Sequence, residues 1–320
     1  MKFISGIDVS KKYFDIEISD KVFRFNMDKK DIKKLLKQLP AGSHCILEST
    51  GTYGNKLMWE LHDAGHIVYM VNPLQISNFS KMKLSKVKTD KSDAKLITEY
   101  GRMNIESLKP YDFPDAGIQS VNQLEAVISQ LIKQRTALTN QLEALEQYKD
   151  ICKEAAVALQ KTITFLSAKI TELEKKQQDY IDKDNKSLRE KISSVIGIGN
   201  STACMLIAVT NGFNNFENNK QVSSYFGCCP RVFQSGSSVK RRGSISKIGM
   251  ASVRTRLYLC ALSAKKYNPK CKELFERLIE KGKPFKVAMM AVVNKLIKQV
   301  FAIVRKNEKF DKNYNISFGF

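Results

Sequence analysis

Phe3-Ile-Ser-Gly-Ile-Asp-Val9, Tyr13-Phe-Asp-Ile-Glu-Ile-Ser19 and Lys21-Val-Phe-Arg-Phe-Asn-Met27 follow one another with short polar breaks. The first is a short apolar strand that carries Asp8 near its end. The second alternates Phe14, Ile16 and Ile18 with Asp15 and Glu17, the period-two pattern of a half-exposed strand. The third continues through Val22, Phe23 and Phe25, so the three read as a meander. A lysine-rich helix over residues 29–38 then stops at Pro40. His44–Glu48 reads as a buried strand, residues 53–64 as a helix closed by Gly65, and Ile67–Val71 as a fifth strand before Asn72-Pro73.

The texture changes further along. Residues 120–180 hold no Pro or Gly, and Leu124, Val127, Leu131, Leu138, Leu142 and Leu145 recur at helical spacing. A second run has Leu159, Ile163, Leu166, Ile170 and Leu173. These predict two long amphipathic helices, read equally well as a coiled coil or as a bundle packed on the same chain. Asp182–Lys186 is a polar break. Ile192–Asn200, with its Gly197-Ile-Gly199 turn, followed by Thr202–Val209, predicts a helix-hairpin-helix. Backbone N–H groups at such a helix start suit a DNA phosphate, although a Gly-rich turn between core helices has the same signature. Residues 225–249 are rich in Gly, Ser and basic residues, and helices follow to about residue 305.

Composition bounds the partners. The 320 residues include 53 Lys and Arg against 32 Asp and Glu, a net charge of +21 spread along the chain, which favours a polyanionic partner. No run reaches the ~18 to 20 unbroken apolar residues of a membrane span. The most apolar late stretch, Val287–Val304, is broken by Asn294, Lys295, Lys298 and Gln299 and reads as an amphipathic helix. Asp8 and two lysines interrupt any signal-peptide core. Seven cysteines lack CxxC spacing, and no His lies near the adjacent Cys228 and Cys229, so they read as reduced core thiols. Lys- and Asn-rich usage fits an AT-rich bacterial genome, and the expected location is the cytoplasm, at the nucleoid.

Four carboxylates fall where an RNase H-like domain needs them, and the order of strands and helices matches that fold. Asp8 lies on the first strand and Glu48 ends the fourth; in that fold the first strand is central and the fourth lies beside it. Asp90 and Asp93, in Lys88-Thr-Asp-Lys-Ser-Asp-Ala94, open a helix, and a spacing of three puts them on one face. Like charges gathered this way need cations. Hard oxygen ligands select Mg²⁺ or Mn²⁺, and two such ions stabilise the attacking and leaving oxygens of a phosphodiester displacement. Singly, Asp8 could cap a strand, and Asp90 or Asp93 a helix. Asp15, Glu17 and Asp63 are set aside as exposed.

Gly6-Ile-Asp8, Leu47-Glu-Ser-Thr-Gly-Thr-Tyr53, Val71-Asn-Pro73 and Lys88–Ala94 closely resemble the DEDD transposases of insertion sequences, the group related to the Piv DNA invertase. Ile196–Gly199, Phe226–Arg231, Gln234–Ser238, Ile245–Gly249 and Arg254–Tyr258 resemble the C-terminal part of the same family. The likeness spans nearly the whole chain in motif order. Cys228-Cys229 stands where relatives more often carry Gly-Leu-x-Pro-like residues, which touches packing rather than chemistry.

The resemblance implies a RuvC-like metal domain over residues 1–110, a helical coiled coil over 111–186, and a mostly α-helical C-terminal transposase domain over 187–320. It implies a serine nucleophile at Ser235, a choice that chemistry alone leaves open among Ser237, Ser238, Ser244 and Ser246. Gly236 would let the chain approach DNA. Lys240, Arg241, Arg242 and Lys247, with Gly197, Gly199, Arg231 and Arg254, would contact nucleic acid. Implied partners are donor and target DNA, a structured non-coding bridge RNA, and further copies of the chain, dimer to tetramer, with no membrane. Two readings compete with this one. One is a RuvC-like structure-selective endonuclease with no serine link; the other is a catalytically inactive nucleic-acid-binding relative.

Overall fold

The N-terminal segments form β1 (Ile4–Val9), β2 (Tyr13–Ile18) and β3 (Lys21–Asn26), followed by α1 (Lys29–Gln38), β4 (His44–Glu48), α2 (Asn55–Asp63), β5 (Ile67–Val71), α3 (Pro73–Met82) and α4 (Asp90–Asn104). The structure is a computed structural model that describes residues 2–49, 51–83, 90–231, 234–235, 239–240 and 244–311; of Asp90, Lys91, Arg231, Gln234, Ser235, Val239, Lys240 and Ser244 it describes the backbone only. The chain divides into two units, Met1–Phe113 and Pro114–Phe320.

In the first unit the five strands form one mixed sheet in the order β3-β2-β1-β4-β5. β1 is central, antiparallel to β2 and parallel to β4. One face carries Ile7, Val9, Phe14 and Ile16 against Ile32 and Leu35 of α1 and Leu57 and Leu61 of α2. The other face packs Ile46, Tyr69 and Val71 against Ile76 and Phe79 of α3 and Ile97 and Tyr100 of α4. The Asn72-Pro73 break is where α3 starts, with Asn72 accepting from the Leu74 amide at 2.9 Å and Pro73 in the first helical turn.

β2 departs from its predicted half-exposed character. Asp15 and Glu17 are only 1% and 4% exposed. β2 lies inside the sheet with both faces covered, and the alternation in its sequence marks two different buried faces rather than a wet and a dry one. Each carboxylate brings a cation with it. Arg24, directly across on β3, donates to Asp15 through Nε at 3.0 Å and Nη2 at 2.7 Å. Arg102 of α4 donates to Glu17 at 3.0 Å.

The second unit starts with α5 (Ala116–Leu145) and α6 (Lys153–Asp184), packed on each other as a helical hairpin. The buried stripe of α5 is Ile118, Val121, Glu125 and Ile128, displaced from the expected Leu124-Val127 face, and Val127 is exposed. Glu125 is tolerated inside because Gln177 of α6 and Arg256 donate to it at 3.0 and 3.1 Å. The expected polar break after α6 shrinks to Asn185, and α7 (Lys186–Ser193) follows at once. Next come α8 (Asn200–Thr210), a short 3₁₀ turn, and α9 (Asn219–Tyr225). Four two-residue strands follow: β6 (Pro230–Arg231), β7 (Gln234–Ser235), β8 (Val239–Lys240) and β9 (Ser244–Ile245). The unit ends with α10 (Ala251–Tyr267), α11 (Pro269–Glu280) and α12 (Phe285–Lys306).

Residues Thr202–Ala208 of α8 are all buried, in a core shared with α7, α10 and α12. By length and composition α12 could cross a membrane. Here Met289, Val292, Val293, Leu296 and Val300 are buried in that same core. Cys45, Cys204, Cys228, Cys260 and Cys271 are buried free thiols, and burial pushes Cys45 up to about 12.

The tightest joint in the first unit is at Gly6. A Cβ there would stand 2.3 Å from the Thr98 backbone N and 2.6 Å from the Ala94 carbonyl. Neither backbone can give way without moving α4 off the sheet. Gly6→Val should therefore destabilise the first unit by at least about 1 to 3 kcal/mol. The check is the midpoint of urea unfolding against that of the unsubstituted chain.

Candidate active site

The register of β1 and β4 sets two of the four carboxylates. Gly6 pairs with Ile46 and Ile7 with Leu47 in parallel, which brings Asp8 beside Glu48 at the carboxyl ends of neighbouring strands. Gly6 and Ile46 both face α4, since a Cβ on Gly6 would strike Ala94, Ile97 and Thr98 while Ile46 lies against Gly101. Asp8 and Glu48, two residues further on, share that face. Both are partly buried.

Packing contacts fix the direction of α4. Residues 94–98 lie over Gly6, Gly101 meets Ile4, and Glu106 beyond the helix pairs with Lys2 at 2.7 Å. α4 thus runs opposite to β1, and its first turn, with Asp90 and Asp93, is at the end of the sheet that holds Asp8 and Glu48. Asp93 is partly buried; the Asp90 side chain lies outside the described residues. A helix start tolerates negative charge because its amide dipoles point there. Among the described residues no three His, Cys, Asp or Glu side chains close into a metal-holding group. The donors at this end of the sheet are all oxygens, the kind that Mg²⁺ and Mn²⁺ take.

Two carboxylates that sequence reasoning set aside belong to the same face. Asp15 is the direct cross-strand partner of Asp8, and Glu17 lies two residues on. Burial, opposed by Arg102, raises the Glu17 carboxyl above the ordinary range. The signal that could have found them is the Arg24 that β3 sets opposite Asp15. Both cations are half exposed, and Arg24 also stacks on Tyr13 at 4.0 Å.

Ser235 lies in the other unit, on a thin ribbon. β6 pairs with β9 and, within that loop, β7 pairs with β8, Ser235 opposite Val239. The base of the ribbon is fixed by two glycines. A Cβ on Gly227 (φ +70°) would meet the Ile248 carbonyl at 2.5 Å, and one on Gly249 (φ +135°) the Tyr225 carbonyl at 2.4 Å. Arg254 donates to the Phe226 carbonyl at 3.0 Å, so this expected DNA contact also holds the ribbon base. Lys247 is exposed, with φ +56°. Arg231 and Lys240 lie on the strands with side chains outside the described residues, as do Gly236, Arg241 and Arg242 altogether.

The Gly197-Ile-Gly199 turn joins α7 to α8 as expected. Gly197 (φ +105°) lies against Ala264 of α10, where a Cβ would come within 2.8 Å. Gly199 caps α8 with nothing near its missing Cβ. The next two residues are held from within the unit: Asn200 accepts from Arg189 at 2.9 Å, and Ser201 donates to Glu174 at 2.7 Å.

Two family models match this arrangement. Residues 5–148 match a DEDD transposase model and residues 189–276 the model of the transposase IS116/IS110/IS902 family. A pilin gene-inverting protein of Moraxella bovis is 31% identical over 275 residues, 84% of this chain and 82% of that protein. The chain belongs to the IS110 transposase family. A probable family 20 transposase of Pseudomonas aeruginosa is 26% identical over 79% of this chain and 81% of its own length. The transposase for insertion sequence element IS1111A of Coxiella burnetii is 22% identical over 96% and 91%. The protein is thus a DNA transposase or recombinase.

The buried acidic residues of this transposase carry two predictions. Arg24→Ala leaves Asp15 buried and unpaired and should cost about 1 to 3 kcal/mol, whereas adding Asp15→Asn should restore part of that loss. Glu17 has a raised carboxyl in the folded state, so its ionisation costs stability as pH climbs from the ordinary carboxylate range to the raised value. Any loss caused by Glu17→Gln should then be greatest near about pH 4 and shrink by about pH 7. Urea midpoints at the two pH values decide it.

Proposed function

We propose that this transposase cuts and rejoins DNA strands with a site in two halves, the carboxylates Asp8, Glu48, Asp90 and Asp93 and the hydroxyl of Ser235. The observation that carries the reading is the convergence of the carboxyl ends of β1 and β4 with the acidic first turn of α4. The strand order β3-β2-β1-β4-β5 supports an RNase H-like, RuvC-like domain over residues 1–110. The hairpin over 111–186 and the transposase domain with its helix-hairpin-helix over 187–320 complete the chain.

The four carboxylates are suited to hold Mg²⁺ or Mn²⁺, which when bound would neutralise charge on the attacking and leaving oxygens. Ser235 attacks phosphorus: a serine–phosphate ester forms, the phosphodiester P–O bond breaks, and the serine proton ends on the DNA hydroxyl released. The ester keeps the bond energy, so a second DNA hydroxyl can reverse the step and join a new strand. The closely fitted glycines at the ribbon base would give the serine a firm mount. Lys240, Arg241, Arg242, Lys247, Arg231 and Arg254 would hold phosphates, with Gly197, Gly199 and Gly236 allowing close backbone approach.

The net charge of +21 supports donor and target DNA together with a bridge RNA as partners. The apolar side chains Val157 and Phe165, 50% and 67% exposed on α6, support pairing of hairpins into a dimer or tetramer in which one subunit's carboxylates meet another's serine. The expected place of action is the bacterial cytoplasm, at the nucleoid.

The test uses purified protein, magnesium and a nicked DNA substrate carrying the element's ends. Asp8→Ala and Asp90→Ala should lower strand transfer by more than about a hundredfold, beyond the effect of outer-shell changes. Wild type should give a covalent protein–DNA adduct that Ser235→Ala abolishes. Cleavage without any adduct would leave a carboxylate-only endonuclease, and full activity of both aspartate variants would remove the metal site.

A further inference from the structure

α11 and α12 meet along a groove that none of the residues above uses. On α12, Lys295, Lys298, Ala302 and Lys306 recur at three- and four-residue spacing and line it. On α11 the lining stripe is Lys270, Leu274 and Arg277. A chain reversal closes one end: Asn307 takes φ +58°, its side chain accepts from Lys191 at 2.5 Å, and the Phe310 amide donates to Ser194 at 2.8 Å. Residues 308–311 thereby become a wall of the groove, adding Lys309.

The resulting cavity holds about 600 Å³, inside the roughly 300 to 1,000 Å³ of small-ligand sites. Its floor is apolar, with Phe301, Ile303 and Phe310. Its cations outnumber its acids, Glu273, Glu308 and Asp311, among the described residues. Burial, then the like charges of Lys295 and Lys220, pull the Lys298 ammonium below its ordinary range.

We infer that this groove binds an unpaired nucleotide of a polynucleotide strand, its base on the apolar floor and its flanking phosphates on the lysine rim. A neutral apolar ligand would leave the rim without purpose, and a free phosphate would leave the floor empty. A paired base cannot enter, because its flat faces are covered by neighbouring base pairs. Aromatic floors beside cationic tracks are how single strands are held without sequence preference. The inference is independent of the carboxylate and serine chemistry, and tests the second unit alone.

The experiment is photo-crosslinking of the full chain to short oligonucleotides with one photoreactive base, with adducts mapped by mass spectrometry. Single-stranded RNA and single-stranded DNA of one sequence form two arms that tell the sources apart. Adducts are expected on peptides of α11 or residues 295–311, competed by unlabelled single strand and not by duplex. Lys295→Ala with Lys298→Ala should weaken single-strand binding on the order of tenfold and reduce the salt slope by about 0.7 for each phosphate no longer neutralised. Lys306→Ala with Lys309→Ala, both exposed on the rim, should do the same if the first pair fails to fold. Removing equal charge at the loop end of the hairpin, Lys153→Ala with Lys161→Ala, both exposed on α6, should leave binding within about twofold, because distant surface charges are screened. No adduct on these peptides in either arm, or equal losses from the groove and control variants, would overturn the assignment.

Discussion

The contact on which the first unit depends is backbone against backbone. Gly6 has no side chain, and α4 uses that vacancy to press Ala94, Ile97 and Thr98 onto the centre of the sheet. The Gly6 amide donates to the Thr98 hydroxyl at 2.7 Å, which fixes the helix along its axis as well as in height. Gly101 repeats the close approach one turn further along the helix, against Ile46. A helix seated this way cannot slide or rotate freely, so the position of its first turn follows from the position of β1. The carboxylates at that end of the sheet take their geometry from two glycines that carry no chemistry.

Charge inside the fold follows one rule in both units: among the described residues, every buried carboxylate comes with a guanidinium. Asp15 has Arg24, Glu17 has Arg102 and Glu125 has Arg256, while the buried Arg189 is held in turn by the half-buried Asp182, with Nε–Oδ1 and Nη2–Oδ2 distances of 2.5 and 3.0 Å. Taking one such charge out of water costs several kcal/mol, roughly, unless a partner is held in good geometry. Guanidinium supplies that geometry, because its planar fork satisfies two oxygens at once. In the second unit these pairs also join elements far apart in sequence. Arg256 of α10 reaches Glu125 of α5 and Ser201 of α8, tying the hairpin base to the helix that follows the ribbon. The carboxylates at the carboxyl ends of β1 and β4 stand apart from this rule in their surroundings, being only partly buried.

The second unit joins a helical core to a ribbon of short strands. Its core is built around α8, whose buried run leaves no polar face, and around the inward stripe of α12. The ribbon that carries Ser235 is built from four two-residue strands, and Gly227, Gly249 and Arg254 fix its base.

Much was legible beforehand. The strand and helix order of the first hundred residues follows from period-two and helical apolar spacing, and the starts and stops from Pro, Gly and Asn. β4, β5 and α1 fall on their predicted residues. The carboxylates Asp8, Glu48, Asp90 and Asp93 could be named from residue type and order, as could Ser235 from family likeness. Other features could not be read. Asp15 and Glu17 read as exposed because a strand's alternation tells its two faces apart but never says whether both are covered. The register of α5 shifted toward Glu125 because an arginine from residue 256 made a buried acid acceptable. The groove between α11 and α12 joins side chains that are periodic on each helix, yet nothing in either period says that the two stripes face each other. Sequence by itself determined which segments are strands and helices and which residues carry charge, because those depend on neighbours a few positions away. Only tertiary structure decided which charges are buried, paired or gathered, because desolvation and Coulomb attraction depend on distances that chain order does not contain.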